Sequence, residues 1–176
     1  MRLNRLNVLL IFNNICSKMA VGGWQMHSEV LKGVQLFSEL SDDQLLKFSE
    51  IAEEKAYNSG EIILEQGIEG NALYVVKQGQ VEIAKTDAGA NSTIVTLESG
   101  EHFGEMSLLE GQPTSARVKA DGEVKILVIP RNKFLSLLDG NVDIAAIVYK
   151  SLAFSLSRRL RTTSTDLATW KPSFEL

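Results

Sequence analysis

The spacing of apolar residues changes period twice along the chain. In "LFSELSDDQLLKFSEIAEEK", Leu45, Phe48, Ile51 and Ala52 fall on one helical face. Ser41 and Gln44 at the head of this run form a capping box, in which the hydroxyl accepts from the Gln44 amide and the Gln44 side chain reaches back. Leu40 and Leu45 occupy the staple positions on either side of that start. From Tyr57 to Ile129 the period drops to two. "EIILEQG", "NALYVVKQG", "QVEIAKTDAG", "NSTIVTLESG", "ARVKADG" and "EVKILVIP" predict short strands, nearly all closed by glycine or proline turns. Many short strands with frequent turns predict a sandwich or barrel rather than a parallel α/β sheet. Beyond Pro130 the helical period returns. "RNKFLSLL" predicts a short helix broken at Gly140 and Asn141, followed by a longer one over "VDIAAIVYKSLAFSLSRRLR". The longer helix carries Ile144, Val148, Leu152, Leu156 and Leu160 at every fourth position, a stripe that packs either on the β region or on a partner chain.

The two ends read differently. "MRLNRLNVLLIFNNICSK" sets Arg2 and Arg5 ahead of a short apolar run, as an export signal does. The run is far shorter than the roughly 20 residues that span a bilayer, and "NNICSK" offers no small-residue cleavage site. Residues 1–29 are therefore expected to be an extension, with Met19 and Met26 as alternative starts. A folded domain is expected over 30–161, with its β region at 56–130 and its C-terminal helices at 131–161, and "TTSTDLATWKPSFEL" at 162–176 reads as a polar tail.

Composition narrows the class without naming a function. A chain of 176 residues, 44% hydrophobic and 23% charged, fits one globular domain with appendages. A net charge of -4 gives no electrostatic footprint for non-specific binding to nucleic acid or a membrane surface. Cys16 stands alone, which excludes an internal disulfide and fits a reducing, cytoplasmic setting.

Most catalytic constellations are missing. His27 and His102 are far apart and lack cysteines at ligand spacing, so no metal site is expected. "GEMSLLEG" does not fit a nucleophile elbow, and Gly67 and Gly70 lie in a β-turn setting rather than a nucleotide-binding glycine loop. Asp42–Asp43 and Glu53–Glu54 read as solvated helix charges, and no enzyme is expected. The basic cluster "SRRLR" at 157–161 reads as the electrostatic complement of a helix C-terminus.

"LFSELSDDQL", "YNSGEIILEQGIEGNALYVVKQGQVEI" and above all "GEHFGEMSLLEGQPTSARVKA", set in this order of helix, strands and helices, resemble the cyclic nucleotide-binding domain over roughly residues 30–161. The resemblance implies an α+β, mainly β fold: a jelly-roll β barrel flanked by an N-terminal helix and two C-terminal helices. It also implies a phosphate-binding cassette from Phe103 to Ala116. Within it, Phe103, Gly104, Glu105, Met106, Ser107, Thr114, Ser115 and Ala116 are the expected ligand contacts, with cAMP or cGMP as the ligand and no other cofactor or metal. Gly104 lets the backbone approach a ligand closely, and Glu105, Met106 and Ser107 open a short helix whose free N–H groups favour an anion. By resemblance, Glu105 accepts a hydrogen bond from the ribose 2′-hydroxyl.

The family's pattern sets an arginine after the Pro113 corner, where this chain has Thr114. Arg117 lies three positions on, and strand alternation sends it with Ser115 and Lys119 to the face opposite Thr114, Ala116 and Val118. Losing one partner of a buried charge pair typically costs about 2–5 kcal/mol, on the order of 30- to several-thousand-fold in affinity. Two readings follow. One is a stand-alone, non-catalytic cytoplasmic sensor that signals through its C-terminal helices, with a twin chain or a second protein on the Ile144–Leu160 stripe. The other is an interaction scaffold whose pocket no longer takes cAMP or cGMP. Relatives that regulate transcription carry a helix-turn-helix after the long helix, and neither a DNA-binding domain nor a membrane segment is expected here.

Overall fold

Two long antiparallel strands carry the architecture, and everything that shapes the cavity hangs from them. The structure is a computed structural model and describes residues 27–87 and 90–169. Cys16, Met19, Met26 and the residues from Trp170 onward lie outside the described residues, with most of the expected N-terminal extension. The strands are β1 (Glu53–Tyr57), β2 (Ile62–Leu64), β3 (Ala72–Asp87), β4 (Ala90–Glu98), β5 (His102–Phe103) and β6 (Arg117–Pro130). They pair antiparallel in the order β1-β6-β3-β4, with β2 also on β6 and β5 on β3. This is the expected β roll with flanking helices.

The strands are fewer and longer than the glycine spacing predicts. "NALYVVKQG" and "QVEIAKTDAG" run on as one strand through Gly79, and "ARVKADG" and "EVKILVIP" as one through Gly122. Both glycines have positive φ, 89° and 85°. They bend continuous strands at irregularities in the pairing of β3 with β6 instead of closing hairpins.

Alternation along the long strands serves two cores, because both faces of this part of the sheet are buried. Ala72, Tyr74 and Val76 with Ile126 and Val128 fill the roll interior beside Val81, Phe103 and Val118. Leu73, Val75, Leu127 and Ile129 point the other way, onto the helices. The helices are α1 (residues 27–32), α2 (Asp42–Ile51), α3 (Glu105–Glu110), α4 (Arg131–Asp139) and α5 (Val142–Thr169), with a 3-10 turn at Gln35–Phe37. The capping box of α2 is formed: Ser41 Oγ accepts the Gln44 amide at 3.4 Å, and Gln44 Oε1 accepts the Ser41 amide at 2.9 Å. Phe48 joins Phe37 and Phe134, with ring centroids 4.8 and 5.8 Å away, and so locks α2 to the 3-10 turn and to α4.

The stripe on α5 divides. Ile144, Val148 and Leu152 are buried in the chain's own core, Leu156 is half-buried, and Leu160 is 68% exposed. The helix also runs past Arg161 to Thr169. The basic cluster at 157–161 is therefore not at a helix C-terminus, and the expectation that it complements one does not hold.

Candidate ligand-binding site

The site grows from the point where β5 stops. Phe103 stacks on Tyr74 with ring centroids 4.9 Å apart and planes 4° off parallel. The chain then turns through Gly104 at φ +85°, where a Cβ would stand 2.9 Å from both the Ala72 carbonyl oxygen and Tyr74 Cδ2. Only glycine fits that turn. It delivers the chain directly into α3, and Gly104 provides no side-chain cap for the first amides of that helix. Across from it, a Cβ at Gly70 would fall 2.0 Å from Ser107 Oγ, so the loop between β2 and β3 passes hard against α3.

These elements enclose a cavity of about 210 Å³. Phe103, Gly104, Glu105, Met106, Ser107, Thr114, Ser115 and Ala116 all line it. Leu64, Ile83 and Val118 add apolar wall, Glu110 and Pro113 complete the rim, and Arg159 enters from α5. Among the described residues, no cluster of His, Cys, Asp and Glu is placed to hold a metal ion, and no helix is long and apolar enough to cross a membrane.

Glu105 is 3% exposed and is held from the far end of the chain. Arg159 Nη1 donates to Glu105 Oε1 at 2.5 Å, and Nη2 donates to the His102 carbonyl at 2.5 Å. Glu105 Oε2 is buried and has no hydrogen-bond partner among the described residues. His102 is 4% exposed, and its Nε2 is also without a partner among them. Burial, with the Arg159 and Arg158 charges added, pushes the His102 imidazole down to about 4, so it is neutral at physiological pH.

The C-terminal end of α3 is tied down as well. Arg131, the first residue of α4, donates from Nε to the Leu108 carbonyl at 2.8 Å. The short cassette helix is thus bonded to α5 at its start and to α4 near its end.

Ser115 departs from the alternation read in the sequence, whereas Thr114, Ala116 and Val118 line the cavity and Arg117 does not, as that alternation requires. Strand β6 begins only at Arg117, and Ser115 and Ala116 form a bend, so Ser115 and Ala116 line the cavity together. Thr114 is buried, and its hydroxyl donates to the Glu65 carbonyl at 2.5 Å while accepting the Ile68 amide at 3.2 Å. That hydroxyl serves the 65–68 turn. Arg117 Nε donates to Glu65 Oε2 at 2.9 Å, and its side chain is about one-third exposed and lies outside the cavity. Arg159 and Glu110 were not among the expected ligand contacts, and the basic cluster that holds Arg159 was read only as helix-terminal charge. Arg159 lies 54 residues beyond the acid it grips, a pairing that no local spacing encodes.

Comparison with known proteins agrees with this fold. The cyclic nucleotide-binding domain profile matches residues 54–141, half of the chain. The chain is 31% identical over 127 residues to human cGMP-dependent protein kinase 2, covering 70% of this chain and 17% of the kinase. It is 30% identical over 118 residues to the cAMP-dependent protein kinase regulatory subunit of Mycosarcoma maydis, covering 64% of this chain and 22% of that subunit. Among solved structures it is similar to the catabolite activator protein of Thermus thermophilus, with 34% identity and a TM-score of 0.67 over 77% of this chain and 62% of that one. The chain thus spans about a fifth of the length of these two curated relatives, and it matches the kinase only over regulatory, non-catalytic sequence. The profile match over half of the chain and the β roll with its flanking helices converge, and the chain belongs to the cyclic nucleotide-binding domain family.

Proposed function

We propose that this chain is a cytoplasmic, non-catalytic sensor whose cavity takes a cyclic nucleotide and whose C-terminal helices report its occupancy. The observation that carries this reading is the orphaned oxygen of Glu105. A buried acceptor with no donor costs about 1–3 kcal/mol, and a ribose hydroxyl supplies the missing donor. Because the oxygen is covered, the carboxylate has to turn about its broad terminal torsion to meet the ligand. That motion would pull on Arg159.

The coupling follows from the ties at the two ends of α3. Displacing Glu105 acts on α5 through Arg159, and displacing Leu108 acts on α4 through Arg131. The ligand signals only in so far as it favours one placement of these helices over another. With Ile144, Val148 and Leu152 used internally, the surface offered to a twin chain or a protein partner is the stretch of α5 from Phe154 to Leu160, where Phe154 is 63% and Leu160 68% exposed.

Titration calorimetry with cAMP and cGMP tests the reading. Saturable binding with a Kd between micromolar and low millimolar is expected, and no heat from either nucleotide at millimolar concentration would remove the sensor role for both. The scaffold reading keeps one specific support. The Thr114 hydroxyl is committed to the 65–68 turn, so it does not replace a guanidinium in the cavity. Binding restored only in Thr114→Arg would favour the scaffold for the natural chain.

A further inference from the structure

The cavity has an unusual charge balance for one expected to hold an anion. Its lining includes two acids, Glu105 and Glu110, and a single cation, Arg159. Thr114 brings no charge, and Arg117 is engaged with Glu65 outside the wall. His102 stands beside the site with only its backbone carbonyl engaged there, and its imidazole is neutral at physiological pH. An anionic group entering past two carboxylates therefore meets one available positive charge, and it comes from the C-terminal helix.

We infer that Arg159 is the anion-binding residue of this cavity, the guanidinium being supplied by α5 instead of by the cassette loop. Its two contacts, to Glu105 Oε1 and to the His102 carbonyl, hold the head group in place. A guanidinium has five N–H donors, so both contacts are kept while further donors serve a ligand oxygen. Its side chain is 36% exposed, against 3% for Glu105, so the charge is reachable where the acid is not. Glu105 is then a positioning residue for the cation as well as the hydroxyl acceptor, and the ligand's anion binds to the helix that carries the output. The inference rests on the sensor reading for its ligand, but it assigns the cation independently of which phosphate ester binds.

The test compares cAMP with adenosine, which keeps base and ribose and lacks the phosphate, on the full chain. Arg159→Gln retains a hydrogen-bond donor for Glu105 and removes the charge; circular dichroism checks that it folds, and Arg159→Lys, which keeps a charge without the fork, serves as the second variant. Arg159→Gln is expected to weaken cAMP by roughly 30-fold or more while changing adenosine less than about threefold. Adding Thr114→Arg to Arg159→Gln is expected to recover at least about tenfold of the cAMP affinity. Equal losses for cAMP and adenosine would reduce Arg159 to a support for Glu105, and unchanged cAMP affinity would overturn the assignment outright. Should the wild-type chain take up neither cyclic nucleotide, its melting temperature with inorganic phosphate decides. Protection lost in Arg159→Gln keeps the anion site and removes only the cyclic nucleotide; no protection of the wild type overturns both.

Discussion

His102 is a base that folding keeps uncharged. Its pKa falls from the ordinary 6.5 to about 4, first through burial and then through the nearby Arg159 and Arg158 charges. Between those values the unfolded chain binds a proton that the native chain does not, so stability rises with pH across this window. Acidification from pH 6.5 to 4 is expected to remove on the order of 3 kcal/mol through this residue, and further acidification removes nothing more through it. Urea unfolding of the wild type and His102→Gln over pH 4–7 isolates the effect. The wild type should lose on the order of 3 kcal/mol more than His102→Gln between pH 6.5 and 4, and parallel profiles would mean that folding leaves the affinity of this imidazole for its proton unchanged. At this scale the residues legible in the sequence were those whose role is local. Gly104 and Glu105 sit side by side at a strand-to-helix turn, where a left-handed glycine leads into the helix and an acid suits its N-terminus. Arg159 was illegible because its role exists only once α5 folds back over the cassette.

Among the elements, α3 is a short helix tied at both ends. It spans only Glu105–Glu110, too short to persist by its own backbone hydrogen bonds, and is held by Arg159, Arg131 and the buried Leu108. Its entry depends on Gly104. Gly104→Ala would force a left-handed residue and a contact of 2.9 Å onto the Ala72 carbonyl. The expected cost is about 2 kcal/mol of stability, with loss of nucleotide binding, read by thermal melts and calorimetry. Unchanged melting and binding would mean that the turn is not held in this conformation. The strands show the limit of glycine as a signal. Gly79 and Gly122 carry the same positive φ as hairpin glycines, and the sequence does not distinguish a turn that ends a strand from a bulge that bends it. Helix α2 was legible to its cap, because the capping box and the apolar face lie within one short segment.

For the molecule as a whole, two cores share one sheet. The roll interior shapes the cavity wall through Leu64, Phe103 and Val118, and the helical core on the other face fixes α4 and the first half of α5. Period-two spacing flanked by helical spacing made this arrangement readable in outline. The way the α5 stripe divides, half in the core and half exposed, was not readable, because periodicity marks an apolar face without saying what covers it. The proposed coupling joins these scales: a ligand in the roll is sensed at Glu105 and reaches α5 through Arg159. Its most direct test is an amide chemical-shift titration of the labelled chain with cAMP. Shifts are expected at Phe103–Ser107 and Ser115–Ala116, together with shifts in α5 around Arg159 that vanish in Arg159→Gln. Spectra unchanged at millimolar cAMP, or shifts in the cassette with none in α5, would contradict it.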